Sequence, residues 1–148
     1  MIINGSTLFV RSPVHPMSDT KNRGHGVSYG LGEAGYDVRI KQRVVLHPFR
    51  RFKIASTIEH FTMPPDLVAI VHDKSTWARL GLSVFNTVIE PGWRGWLTLE
   101  LVYHGWGRLV IPAGAGIAQV IFHQTMEKAL YEGKYQGQED RPTPAIHR

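Results

Sequence analysis

The chain has 148 residues, 43% of them hydrophobic, and a formal charge of +5 with eight histidines besides. That suffices for one domain with a sizeable core, and no apolar run reaches the roughly 18 residues a membrane span needs. The start lacks the charged-then-apolar pattern of a secretory signal, so a cytoplasmic protein with no membrane partner is expected.

Cysteine is absent, which removes disulfides, thiolate nucleophiles and every cysteine-containing zinc site. The basic balance suits an anionic ligand such as a nucleoside triphosphate, and equally suits nucleic acid. Taken in order, Met1 to Val10 reads as a short apolar start, and residues 11–30, rich in Pro, Gly, Ser, His and Asn, as loop. A single domain over 1–148 with a loop-rich start at 1–30 is therefore expected. His15, Lys21, Arg23 and His25 could reach a ligand's phosphates, but a solvated loop fits the composition better. Leu31 to Ile40 turns from a glycine-rich bend into a strand, with Tyr36, Val38 and Ile40 on one face and Asp37 and Arg39 on the other.

From Val44 onward one strand follows another: 44–46, 51–56, 67–72, 81–86, 96–103, 108–111 and 117–123. Prolines and glycines punctuate them, which predicts an all-β sandwich, barrel or jelly roll. The only helix predicted is Ser75 to Leu80. Residues 127–148 are Gly-, Gln- and Pro-rich, with too few apolar side chains to fold alone, and read as a lid.

The stretch from Val71 to Leu101 holds the chemistry. Ser75 and Thr76 sit where a helix N-cap would follow a strand, Lys74 adds a positive charge, and Arg79 lies one turn later than Ser75. This pattern fits an anion site or an ordinary capped turn. It is not a P-loop, because Val71, His72 and Asp73 stand where glycines are required. After the turn at Pro91 to Gly95, Leu97, Leu99 and Leu101 alternate with Trp96, Thr98 and Glu100. A carboxylate in such a strand sits either at a solvated edge or in a cleft with a partner, where burial would tune it for proton transfer. Arg79 or a histidine could be that partner.

Lys74 to Leu82, Ile89 to Gly95, Thr98 to Leu101, Gly116 to Gln119 and Gly133 to Gln138 together resemble the ordered motifs of the dCTP deaminases, within the dUTPase superfamily. Ala34 to Arg39 resembles the first motif of that superfamily. The resemblance implies a distorted dUTPase-like jelly roll with one short helix, assembled as a homotrimer with sites between subunits. It implies hydrolysis of dCTP to dUTP and ammonia without zinc, magnesium accompanying the triphosphate and no direct metal ligand. Glu100 would be the proton shuttle, with Ser75 and Arg79 holding the water and the charge of the glutamate. The backbone at Thr87 and Val88 would read the cytosine edge, and Trp93 would lie under the deoxyribose. Lys74, Thr76, Gln119, Tyr131, Lys134 and Gln138 would serve the phosphates. Glu90 stands where the superfamily usually has aspartate. The extra methylene displaces the carboxylate and weighs against diphosphatase activity. The alternatives are a dUTP diphosphatase or bifunctional enzyme, and a non-catalytic nucleotide-binding regulator. A nucleic-acid partner is not expected, because no clustered basic face with an aromatic platform is visible.

Overall fold

The computed structural model describes every residue from Met1 to Arg148. Alternating apolar positions and the Pro/Gly breaks produce thirteen strands and two short helices. In order these are β1 (Ile2–Ile3), α1 (Gly5–Arg11), β2 (Val14–His15), β3 (Lys21–Gly24), β4 (Val27–Leu31), β5 (Tyr36–Arg39), β6 (Val44–Leu46) and β7 (Phe52–Thr62). Then come β8 (Leu67–Asp73), α2 (Ser75–Ala78), β9 (Leu82–Val84), β10 (Val88–Ile89), β11 (Arg94–Tyr103), β12 (Leu109–Ile111) and β13 (Gly116–Gln124).

Seven strands form one sheet in the order β10-β8-β13-β5-β4-β3, with β1 paired to β13 as well. A second sheet runs β2-β7-β11-β9, and β12 pairs with β6. This is the all-β jelly roll that the strand spacing predicts. Phe61, Phe122, Leu99, Leu101, Val38, Ile40 and Val120 are at most 1% exposed and make up the centre of the core. Along β8 the alternation is clean: Leu67, Ala69 and Val71 are buried while Val68, Ile70 and His72 are half-exposed.

The start of the chain departs from the loop expected at 1–30. Gly5–Arg11 is helical, so the helix after Lys74 has a companion, and β3 and β4 form an antiparallel hairpin. Helix α1 has seven residues, one buried side chain (Leu8) and no side-chain cap, too little for a periodic signal. Tertiary contacts hold it instead: Arg11 forms an ion pair with Asp66.

Strand β7 is also longer than the predicted 51–56. In its second half Thr57, Glu59 and His60 interrupt the apolar pattern. A register shift opposite Trp96 to Thr98 explains them. There the Thr57 hydroxyl accepts the Leu97 N–H at 3.1 Å and donates to the Glu59 carbonyl at 2.7 Å, replacing regular ladder bonds.

The irregularity turns Glu59 inward until its side chain is fully buried. Its carboxylate accepts the Arg39 backbone N–H at 2.9 Å and the Arg39 Nε at 2.8 Å, joining β5 of one sheet to β7 of the other. Burial pushes the Glu59 carboxyl above its ordinary value, and the arginine opposes that shift. Arg39→Met strands this carboxylate, and the expected loss is about 3–5 kcal/mol in urea denaturation. Restoring an apolar pair in Arg39→Met/Glu59→Leu should recover part of it. A single variant as stable as the wild type would show that the pair does not staple the sheets.

Candidate functional site

The turn at Pro91 to Trp93 carries the chain from β10 into β11, and from there the chemistry can be built residue by residue. Thr98 and Glu100 are two apart on β11 and face one cavity of about 600 Å³. Its walls are largely apolar: Phe52, Ile54, Val88, Ile89, Trp93 and Leu97, with Thr87, Glu90, Tyr131, Tyr135, Gln138 and residues 143–145 completing them. Trp93 is 5% exposed, its ring 6.1 Å from that of Phe61. Trp96 leaves the face it was expected to share with Thr98 and Glu100, and packs edge-on against His60 at 4.6 Å.

Glu100 is half-buried, and its Oε2 is sealed from solvent with no hydrogen-bond partner. Burial pushes its carboxyl above the ordinary value, and a hydrogen bond with its own backbone amide opposes the shift. The expected companions are not beside it within one chain. Arg79 follows the last residue of α2, exposed and without a salt-bridge partner, and lines neither this cavity nor the next. Ser75 lies in a second cavity.

That second cavity, about 300 Å³, is lined by Lys21, Ser28, Gly32, Glu33, Asp37, Asp73, Lys74, Ser75, Thr76 and Gln119 and has no apolar lining residue. Lys74 is the N-cap residue of α2 in extended conformation, and no side chain caps the helix. Ser75 is therefore the first helical residue, not the cap the sequence suggested. Trp77 anchors this short helix by donating its Nε1 hydrogen to the Gly116 carbonyl at 2.6 Å. The Lys74 ammonium turns inward, donating to Ser28 Oγ at 2.9 Å and pairing with Asp37. Only 11% of the Lys74 side chain and 8% of Asp37 are exposed. Lys74 is thus committed to β5, while Ser75 and Thr76 are exposed and share the cavity with Gln119. Asp37 Oδ1, like Glu100 Oε2, is buried without a partner.

Thr87 and Val88 stand at the mouth of the apolar cavity. The Thr87 carbonyl accepts the Val71 N–H at 3.1 Å, Asn86 Nδ2 donates to the Val71 carbonyl at 2.6 Å, and Val88 is 51% exposed. Glu90 shares this cavity with Glu100, a pairing the sequence did not make explicit. No three His, Asp or Glu side chains converge on a point where an ion could be held.

The C-terminal segment lies across β11. Tyr131 donates its N–H to the Pro91 carbonyl at 2.9 Å, and Trp93 Nε1 donates to the Tyr135 carbonyl at 2.7 Å. Gly137 N–H donates to the Arg94 carbonyl at 2.9 Å, and Trp96 N–H to the Gln138 carbonyl at 3.2 Å. The close approach needs a glycine at 95, whose φ is 145° and where a Cβ would come within 2.7 Å of Gln138 N. Lys134 differs from the other expected phosphate residues: its ammonium sits 5.3 Å from the Tyr135 ring centre and bonds the Ile146 carbonyl. Tyr135, Thr98 and Asp37 were not picked out as site residues. For Thr98 the signal was present, since it falls two residues before Glu100 on the same strand face.

Solved dUTPase structures share this fold. EIAV dUTPase superposes with a TM-score of 0.57 at 22% identity, covering 69% of this chain and 84% of that one. A dUTPase mutant from phage phi11 of S. aureus, whose structure details coordination of a structural Mg(II) ion, gives 0.60 at 18% identity, covering 82% and 95%. At such identities the likeness concerns the fold. The family is settled by sequence: a family model described as dCTP deaminase-like matches residues 28–125, from β4 through β13. A dCTP deaminase of Herpetosiphon aurantiacus is 34% identical over 90% of both chains, and one of Campylobacter jejuni is 35% identical over 92% of this chain and 91% of its own. This chain belongs to the dCTP deaminase family.

The inward turn of Lys74 separates two roles experimentally. Lys74→Met leaves Asp37 unpaired in a nearly closed site, and the expected loss is about 3–5 kcal/mol of stability without any nucleotide present. An unchanged urea midpoint together with weakened nucleotide affinity would show an ammonium free to serve phosphate.

Proposed function

We propose that this protein is a dCTP deaminase acting as a homotrimer, in which the apolar cavity of one subunit faces the polar cavity of the next. Cytosine and deoxyribose enter the apolar cavity beside Trp93, and the triphosphate extends toward Ser75, Thr76 and Gln119 of the neighbouring subunit. The observation that carries this reading is the Glu100 carboxylate, half-buried in an apolar cavity with one oxygen unpartnered. A group in that setting is basic enough to take a proton from water.

The chemistry needs little else. Glu100 takes a proton from water as the oxygen adds to C4 of the cytosine and passes that proton to N3. It then takes the second water proton from the C4 hydroxyl and delivers it to the 4-amino group, which leaves as ammonia as the C4 carbonyl forms. The neighbour's Arg79 holds Glu100 ionised until water is bound, and its Ser75 hydroxyl orients that water. The exposed Phe52 and Val88 line the cavity, Phe85 lies 6.5 Å from the Phe52 ring, and together they give the subunits an apolar contact. Magnesium would accompany the triphosphate, its ligands drawn from phosphate oxygens and water, and would neutralise phosphate charge. The polar cavity, walled by hydroxyl, amide and carboxylate oxygens, suits that load.

Purified protein with dCTP should yield dUTP and ammonia, resolved by ion exchange, and Glu100→Gln should abolish this while dCTP still binds. Normal turnover by Glu100→Gln would end the mechanism. Because Glu90 shares the cavity, dUTP is tested in parallel, and pyrophosphate with dUMP would establish diphosphatase activity as well. Failure to turn over either nucleotide would favour a binding or regulatory protein.

Arg79 makes a second prediction with a definite sign. Burial raises the Glu100 carboxyl, and a neighbouring guanidinium lowers it again. Since the base must be ionised, Arg79→Gln should move the acidic limb of the kcat/KM profile to higher pH and slow the reaction across the profile. Light scattering reports whether the trimer persists. An unshifted limb in an intact trimer would mean that Arg79 does not act on Glu100.

A further inference from the structure

Strand β9 pairs with β11 only at Leu101 to Tyr103, so the half of β11 that enters the site has a free edge on that side. The C-terminal segment occupies it. Gly137 and Gln138 pair in parallel with Arg94, Gly95 and Trp96, as an added strand would. Beyond Gln138 this backbone pairing stops, and the next link is a side chain. The Thr98 hydroxyl donates to Gln138 Oε1 at 3.1 Å and accepts the Thr143 backbone N–H at 2.9 Å. Thr98 is 7% exposed, so its hydroxyl is largely shielded from water, while Gln138 and Thr143 are half-buried. Its hydroxyl therefore joins two points of the tail, five residues apart, to the strand that carries Glu100.

Those points hold part of what closes the cavity. Of the wall that the tail supplies, Tyr131 and Tyr135 precede the Thr98 link, while Gln138, Thr143, Pro144 and Ala145 lie at it or just beyond. Lys134 and Ile146 brace the same segment: Lys134 bonds the Ile146 carbonyl, and Ile146 N–H donates to the Tyr135 hydroxyl at 3.1 Å. Lys41 also pairs with Asp140, but without the Thr98 link residues 139–145 touch β11 through no backbone hydrogen bond.

We propose that Thr98 is a positioning residue, a hydroxyl latch that closes residues 138–145 over the cavity holding Glu100 and so sets nucleotide affinity. This deepens the deaminase reading and rests on it for its kinetic consequence. Thr98 touches no reacting atom; it acts through the tail. The hydroxyl is required in both capacities, as donor and as acceptor, so serine can replace threonine and valine cannot.

The test compares Thr98→Val and Thr98→Ser in the full-length protein, read by dCTP kinetics and by amide hydrogen exchange without nucleotide. Valine is a good strand residue, so β11 still forms. Thr98→Val should raise KM for dCTP by about 5–30-fold, the change expected from losing one to two partly shielded hydrogen bonds. The loss in kcat/KM falls mainly on KM, and exchange at Thr143 quickens. Thr98→Ser should restore KM to within about twofold and slow that exchange again, since it keeps the hydroxyl. A valine variant with unchanged KM and unchanged exchange would overturn the proposal. So would one that loses kcat alone, or a serine variant as impaired as valine. If the wild type does not deaminate dCTP, the deaminase reading fails, while faster exchange at Thr143 in Thr98→Val still upholds the latch.

Discussion

A carboxylate oxygen sealed from water and bonded to nothing is the constraint on which the rest of this structure turns. Glu100 Oε2 is in that state, and its neighbours in the cavity wall are mostly apolar. Ionised and unpaired, such an oxygen is costly, and a proton or a nearby cation would relieve that cost. Several of the chain's cations are already committed. Arg39 pairs with Glu59, Lys74 with Asp37, and Arg51 donates to the carbonyls of Tyr103 and Gly105. Arg79 is exposed beyond α2 with no carboxylate of its own. In the proposed two-subunit site, the neighbour's Arg79 is the cation that would reach Glu100.

Strand β5 makes this division rigid. Its Asp37 holds Lys74 and with it the entry to α2, while Arg39 reaches Glu59 in the opposite sheet. Two ion pairs from one four-residue strand thus fix where Ser75 and Thr76 stand relative to β7, and β7 in turn carries β11 along most of its length. Buried pairs of this kind add little net stability over apolar packing, yet breaking one is severe. Their value here is positional.

What the sequence made legible follows from how local each feature is. Strands β6, β8 and β12 could be read nearly to the residue because each alternates or runs apolar between clear turn signals. Glu100 stood out because a carboxylate among leucines is improbable without a task. The second half of β7 was hidden because Glu59 only makes sense opposite Arg39, twenty residues away and in another sheet. Helix α1 was hidden because contact with Asp66, not periodicity, holds it. Lys74 read as a phosphate group because Lys-Ser-Thr is compact and exposed in most settings; that Asp37 claims the ammonium is a tertiary fact. The tail was legible as a lid from its composition, but not the edge it docks on, since a Gly- and Gln-rich segment has no periodicity and finds its place on an edge that β9 leaves free.

The proposed division between subunits also resolves a conflict in the chemistry. A general base needs enough proton affinity to pull a proton from water, and it must be unprotonated when the water arrives. Burial among apolar side chains supplies the first and works against the second. A guanidinium supplies the second, and if it were permanently buried beside the carboxylate it would take away the first. Delivering the arginine from a neighbouring surface, with the tail shutting the cavity around the nucleotide, lets the two demands be met at the same moment. In the proposed trimer a lone chain then holds an inert glutamate, and assembly is itself the activating step.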